Sequence, residues 1–300
     1  MNPLLAIPFA LAALAPVPAA DPAPEPPQVV EVGVYVMNVG KFELATGSFT
    51  IDFYLTLKSD RAIPDGAFEF MNGRAGSVDA IVNEEKHKEF RVLANLYQNL
   101  DLRAYPFDRH KLTVLLENKS RDNTSLVWKV SDVDSGLDPE VTVVGWDLTG
   151  AHGRVDVHDY GDKKFSRFVY EVELRRIVLT SIFKAFLPAF FIVVVGLLSL
   201  LMLPDKVIPR LGMATSALLG TVMFHLTVTS QIPPVGYLTF ADRFMIASYV
   251  VLLGCLISTV VLMRHNDSKD DASSMRVYRI SLRVIPPAAL VVYGVAILTR

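Results

Sequence analysis

Past Arg176 the chain carries four apolar runs, at about 182–203, 209–231, 240–263 and 280–298. At about 1.5 Å per residue, a helix of such length crosses the roughly 30 Å hydrocarbon core of a bilayer. That need constrains the fold more than any other feature, because backbone in lipid must satisfy its own hydrogen bonds. Pro188 interrupts the first run, and Pro286 and Pro287 lie inside the fourth. Membrane helices tolerate such prolines better than soluble ones do.

The second run is apolar enough for lipid yet holds Ser216, Thr221, His225, Thr227, Thr229 and Ser230. Gly212, Ser216, Leu219, Met223, Leu226 and Ser230 are spaced by alternating fours and threes, so they share one helix face. That face reads small, hydroxyl, three bulky apolar residues, hydroxyl. Several copies around an axis would enclose a path with polar ends and a hydrophobic constriction that gates by dewetting. The alternative is a single bundle span whose hydroxyls bond back to helix carbonyls. His225 lies off the stripe and is expected against a neighbouring helix.

The links between runs orient them. The first link, Leu203 to Pro209, contains Lys206 with Arg210 just beyond, and Arg264, Lys269, Arg276 and Arg279 fall in the third, whereas Ile232 to Thr239 has neither Lys nor Arg. The positive-inside rule puts the first and third links in the cytoplasm and both termini outside. Residues 1–20 agree: an apolar core from Leu4 to Leu14, then Ala19 and Ala20, resembles a secretory signal. Residues 21–28 are Pro-rich and acidic, an expected extended linker.

From 29 to 176 the pattern changes to short alternating runs. Val30, Val32, Val34 and Val36 alternate with other residues, as do Phe49 to Leu57, and further runs are Phe90–Leu96, Leu112–Leu116, Val141–Val144 and Phe168–Leu174. Turn residues bound each one. This predicts an exported antiparallel, immunoglobulin-like β-sandwich of roughly ten strands, followed by a four-helix domain over 177–300.

Other classes find little support. The net charge is −2, so no basic excess marks a nucleic-acid binder. The single cysteine, Cys255, excludes a disulfide framework within the chain. The six histidines are scattered, with no His-Glu-x-x-His, Gly-x-Ser-x-Gly or phosphate-binding glycine loop, so neither an enzyme nor a cofactor is expected. Asp132, Asp134 and Asp138 alternate in a loop as candidate oxygen ligands for Ca²⁺, although acids in surface loops are more often simply solvated.

An exported sandwich joined to four helices, the second amphipathic, resembles the pentameric ligand-gated ion channels, the Cys-loop receptor superfamily. The likeness rests on Asp101-Leu102-Arg103-Ala104-Tyr105-Pro106-Phe107-Asp108, on Arg175-Arg176 with Leu187-Pro188, and on the order from Pro209-Arg210-Leu211-Gly212 through Ile232-Pro233 to Gly236-Tyr237-Leu238-Thr239 and Asp242. The cysteines that close the signature loop in animal receptors would fall at Gln98 and Leu112, and their absence, with the short third link, is similar to the prokaryotic branch.

The resemblance implies a homopentamer in a bacterial inner membrane, gated by a small-molecule or ionic agonist and passing inorganic ions. Its pore would be lined by the six-residue stripe, with a gate at Leu219, Met223 and Leu226. At the inner mouth, Pro209 and Arg210, with Gly212 just inside the helix, look closer to the anion-conducting pattern than to the cation-conducting one, whereas Asp205 would supply a negative ring if it turned toward the axis. The agonist pocket would draw on Phe70, Glu117, Lys119, Arg121, Tyr160 and Phe165, completed on a neighbour by Phe53 or Tyr54 and by Arg91. Basic residues in the third loop disfavour a simple amine and allow an anion. Coupling would join Tyr105, Pro106, Phe107 and Asp108 to Arg175 or Arg176 and to Pro233, Pro234 and Tyr237. The alternative function is a non-conducting membrane sensor of the same fold.

Overall fold

In a computed structural model, residues 25–66 and 68–299 are described, so the expected signal segment and the start of the linker lie outside the described residues. Ten strands come first: β1 (Gln28–Glu43), β2 (Ser48–Ser59), β3 (Phe68–Phe70), β4 (Gly73–Asn83) and β5 (His87–Tyr97), then β6 (Arg109–Asn118), β7 (Leu126–Val130), β8 (Gly136–Leu137), β9 (Trp146–Asp159) and β10 (Lys164–Arg176). Helices α1 (Val178–Ala185), α2 (Leu187–Leu198), α3 (Val207–Thr229), α4 (Phe240–Asp267) and α5 (Asp271–Leu298) follow.

The strands form two facing sheets. One runs β4-β5-β2-β1-β7, with β8 beside β1, and the other runs β3-β6-β10-β9. Alternation drives the arrangement. Val30, Val32, Val34 and Val36 of β1 and Phe49, Ile51, Phe53, Leu55 and Leu57 of β2 all turn inward, where they meet Leu112, Val114, Leu116, Phe168, Tyr170, Val172 and Leu174. Strands of period two that bury one face have no other register available without exposing that set.

Two segments depart from the expected pattern. Val141–Val144 is not a strand: Val141 and Val143 are buried, but the chain turns at Gly145, whose φ of +86° is a left-handed conformation, and only Val143 bridges to Trp146. Conversely β4, which has no apolar alternation, is an eleven-residue strand paired to β5 at the sheet edge and exposed along nearly all its length.

Among the described residues, four helical stretches are long and apolar enough to cross a membrane: Val178–Leu201, Val207–Thr229, Phe240–Asp267 and Asp271–Leu298. The first is broken at Phe186 between α1 and α2. Pro188 brings no N–H and crowds the carbonyl four residues back, so the helix restarts there. Helix α4 opens with a capping box in which Thr239 accepts from the Asp242 amide while the Asp242 carboxylate accepts from the Thr239 amide. Across the bundle, Ser248 pairs with Tyr293 at 2.8 Å and Ser258 donates to Ser281 at 2.7 Å, tying α4 to α5.

Candidate functional site

The stripe on α3 is an exposed face. Gly212, Ser216, Leu219, Met223, Leu226 and Ser230 are all open, with Leu219 and Met223 each 66% and Leu226 60% exposed. The opposite side, Ala214, Ala217, Thr221 and Val228, is packed on the other helices. Thr215, Thr221, Thr227 and Thr229 each donate to a carbonyl one turn back, and Ser230 donates to Thr227 O. Ser216 makes no such bond among the described residues, so its hydroxyl is left for whatever meets that face. His225 turns away from the stripe, with Nδ1 3.1 Å from the Tyr249 hydroxyl and Nε2 3.2 Å from the Asp242 carboxylate.

The inner end of α3 overturns one expectation. Arg210 does not open onto the exposed face: it is 0% exposed. Its Nε donates to Thr259 Oγ1 at 3.1 Å, its Nη2 to Ser258 Oγ at 3.0 Å, and its Nη1 to the Met202 carbonyl at 3.3 Å. With a further contact from Nη1 to the Leu200 carbonyl at 3.5 Å, the guanidinium donates four hydrogen bonds to acceptors that α4 and the turn after α2 supply. In the single chain the Arg210 side chain is therefore turned into its own helix bundle and away from the exposed face of α3. Pro209 is exposed in the first turn of α3, and Asp205 is exposed and paired with its neighbour Lys206 at 3.0 Å.

Where the sandwich meets the helices, the contacts are close and polar. Arg176 Nε and Nη2 donate to the Asp108 carboxylate at 2.7 and 2.9 Å, and His110 Nε2 lies 2.6 Å from the same carboxylate. Arg176 stacks over Trp146 at 4.2 Å and near Tyr105 at 5.1 Å. Burial raises the Asp108 pKa, but the hydrogen bonds from Arg176 and His110 outweigh it and hold the carboxyl down at about 2. Arg175 points the other way, to Asp147 at 3.4 Å.

Alternation could have chosen between the two arginines. Arg176 shares parity with Tyr170, Val172 and Leu174, and His110 shares it with Leu112 and Val114, so both extend the buried face. Trp146 and His110 were not among the expected coupling residues, and this parity was the available signal for His110.

The signature loop docks onto the start of α4. Phe240 N–H donates to Arg103 O at 2.8 Å and Ala241 N–H to Tyr105 O at 3.1 Å, so loop carbonyls take up amides that a helix start leaves open. Phe107 stacks on Phe186 and meets Phe240 edge-on, joining the loop to both the first and third spans. The Tyr237 hydroxyl accepts from Leu102 N–H at 2.9 Å, and Tyr105 donates to Gln231 at 3.3 Å. Pro233 and Pro234 lie between these two contacts in the α3–α4 link. Pro106 follows a cis peptide bond.

The expected pocket residues separate into groups. Phe70 and Lys119 line one cavity of about 490 Å³ with Phe68, Phe90 and Arg74. On the β9–β10 hairpin, Tyr160 packs on Phe165 and His158. Glu117 is buried and already held: Arg167 Nε donates to it at 2.5 Å and the Tyr160 hydroxyl at 3.0 Å. Arg121 donates to Gln28 at 2.6 Å, away from that hairpin's rings. Phe53 is a correction. It is 0% exposed in the sandwich core, as its parity with Ile51 and Leu55 requires, and no ligand could touch it. Arg91 is exposed and makes two hydrogen bonds to Asp52, at 3.2 and 2.8 Å.

The candidate Ca²⁺ ligands also fail to converge. Asp134 is held by Lys58 at 2.7 Å and by Ser131, Asp138 accepts from Glu140 N–H, and among the described residues no group of three acids, histidines or cysteines could hold a metal ion.

No protein-family model matches the chain. It is 22% identical over 295 residues to a proton-gated ion channel of Gloeobacter violaceus, covering 88% of this chain and 82% of that relative. It is 23% identical over 193 residues to pH-sensitive chloride channel 2 of Drosophila melanogaster, covering 59% of this chain and 36% of that one. It is 21% identical over 173 residues to a gamma-aminobutyric acid receptor subunit beta of Caenorhabditis elegans, covering 56% of this chain and 30% of that one. In its ordered motifs, its ten-strand sandwich on four apolar helices and these relatives, the chain is similar to the pentameric ligand-gated ion channels.

Proposed function

We propose that this protein is a ligand-gated ion channel of a bacterial envelope, a closed ring of identical subunits around a water-filled pore lined by α3. The observation that carries it is the face of α3 that its own chain leaves bare while packing the opposite side. One amphipathic span cannot enclose water alone, and a cyclic assembly solves that for every copy at once. The three bulky side chains Leu219, Met223 and Leu226 then form a hydrophobic constriction that closes by dewetting. A stimulus on the outer domain reaches α3 through Asp108–Arg176 and the loop docked on α4.

Two relatives bear names that give protons or pH as the stimulus. In this chain His110 lies in contact with Asp108 at that joint. With Arg210 buried, no ring of arginine sets the ion selectivity. Planar-bilayer recording of the purified protein under an ion gradient tests the proposal. Discrete openings with a defined reversal potential support it. Silence at every pH and ligand condition, from a correctly assembled ring, favours the non-conducting sensor.

A further inference from the structure

Lys184 is the only Lys, Arg, Asp or Glu between Val178 and Leu201, the first membrane-crossing stretch. It lies in the last turn of α1, about 9 Å from the start of that helix at about 1.5 Å per residue. An ammonium group inside a span is costly unless it meets polar partners or water, and such a charge marks function by default. Among the described residues Lys184 forms no hydrogen bond or ion pair.

Its surroundings show where the charge acts. Lys184 borders a cavity of about 280 Å³ together with Arg176, Thr180 and, from α3, Phe224, Thr227 and Gln231. Thr227 and Gln231 each follow a residue of the exposed stripe, Leu226 and Ser230, so the cavity lies on the flank of that face. Side chains on a helix lean toward its N-terminus, which for α1 is the sandwich end, and the ammonium therefore rises toward the outer end of α3.

Nothing there cancels it. Among the described residues no carboxylate borders the cavity. Asp108 is committed to Arg176 and His110, and Asp242 to Thr239 and His225. The α3–α4 link, Ile232 to Thr239, holds no Asp or Glu. Arg176 is thus neutralised by its partner, whereas Lys184 is not. The stripe itself, from Gly212 to Ser230, carries no charge.

We infer that Lys184 sets the charge selectivity of the pore, as a cation held behind the outer end of α3 that draws anions in and turns cations away. The inference rests on α3 as the wall of a water-filled path and deepens that reading by naming the ions. Each copy supplies one such charge, so a closed assembly carries a ring of them. Rings of Lys or Arg favour anions. The field of a hydrated charge reaches about one Debye length, roughly 10 Å at 0.1 M salt. Several charges at that range change the local ratio of anions to cations by about three- to ten-fold.

Reversal potentials of the reconstituted full-length protein under a sodium chloride gradient test this. The wild type should prefer chloride, and Lys184→Arg should keep the preference. Lys184→Gln should lower the chloride-to-sodium permeability ratio by about three-fold or more, and Lys184→Glu should lower it further. In Lys184→Cys an ammonium-bearing methanethiosulfonate should restore chloride preference, and a sulfonate-bearing one should depress it below that of the unmodified cysteine. If the variants do not assemble, the wild type decides alone, because its chloride preference should rise as salt is lowered. Sodium preference in the wild type, a ratio independent of salt, or a ratio unmoved by the charge at position 184 overturns the inference. Openings with such a ratio leave α3 as the pore wall, whereas no openings from an assembled wild type defeat the channel reading and this inference with it.

Discussion

Asp108 and Arg176 form a two-pronged ion pair at the foot of the sandwich, with N···O distances of 2.7 and 2.9 Å and the carboxylate almost wholly buried. Arg176 is two residues from the first membrane helix, and Asp108 closes the loop that docks on the third. The pair therefore joins the outer domain to two spans at one point.

Removing one partner strands the other in a buried site, at a cost of about 3–5 kcal/mol. Asp108→Ala and Arg176→Gln should each shift the stimulus–response curve by ten-fold or more, since about 1.4 kcal/mol is a factor of ten. Exchanging the two residues should recover part of the loss. Current recordings check this, and unchanged gating in all three variants would remove the pair from the coupling path.

The same carboxylate sets a pH dependence. Its pKa is lowered from 3.8 to about 2, so the folded state holds it ionised more readily than the unfolded chain does. Such a group contributes stability that is present above about pH 4 and lost as pH falls through about 2, here about 2 kcal/mol. Thermal unfolding of wild type and Asp108→Asn should show a stability gap that narrows between about pH 4 and pH 2. A gap of constant size across that range contradicts the assignment.

Arg210 should matter for assembly and not for selectivity. Arg210→Gln leaves Ser258, Thr259 and the Met202 carbonyl short of donors in a buried site, which costs about 1–3 kcal/mol for an unsatisfied group. The variant should yield a less heat-stable oligomer whose channels keep the wild-type reversal potential. A shifted reversal potential would mean that the guanidinium reaches the ion path after all.

At the proposed gate, Leu219→Ser places a hydroxyl in the apolar constriction and lowers the barrier to wetting. Single-channel recording should show a higher open probability without stimulus. An open probability equal to wild type would move the gate elsewhere.

How much of this was legible depends on what each signal depends on. Periodicity showed the sandwich, because Val30 to Val36 and Phe49 to Leu57 alternate strictly and bury what alternates. It missed β4, whose faces are both open in one chain, so no apolar alternation was needed there. The α3 stripe was legible for the same reason as β1. The direction of Arg210 was not, since it depends on Ser258 and Thr259, nearly fifty residues away on another helix. Parity could have assigned Phe53 to the core and Arg176 to Asp108, whereas the pairing of Glu117 with Arg167 and Tyr160 required two neighbouring strands to be in place.

The most direct measurement of the central claim is thiol accessibility along α3 during current recording. The native Cys255 is 0% exposed and should stay silent toward a charged, water-soluble thiol reagent. Ser216→Cys and Leu219→Cys should be modified, with a change in current, while Ala217→Cys on the packed side should not. Failure of both to react in any state, or reaction with no effect on current, would contradict a water-filled path along this face.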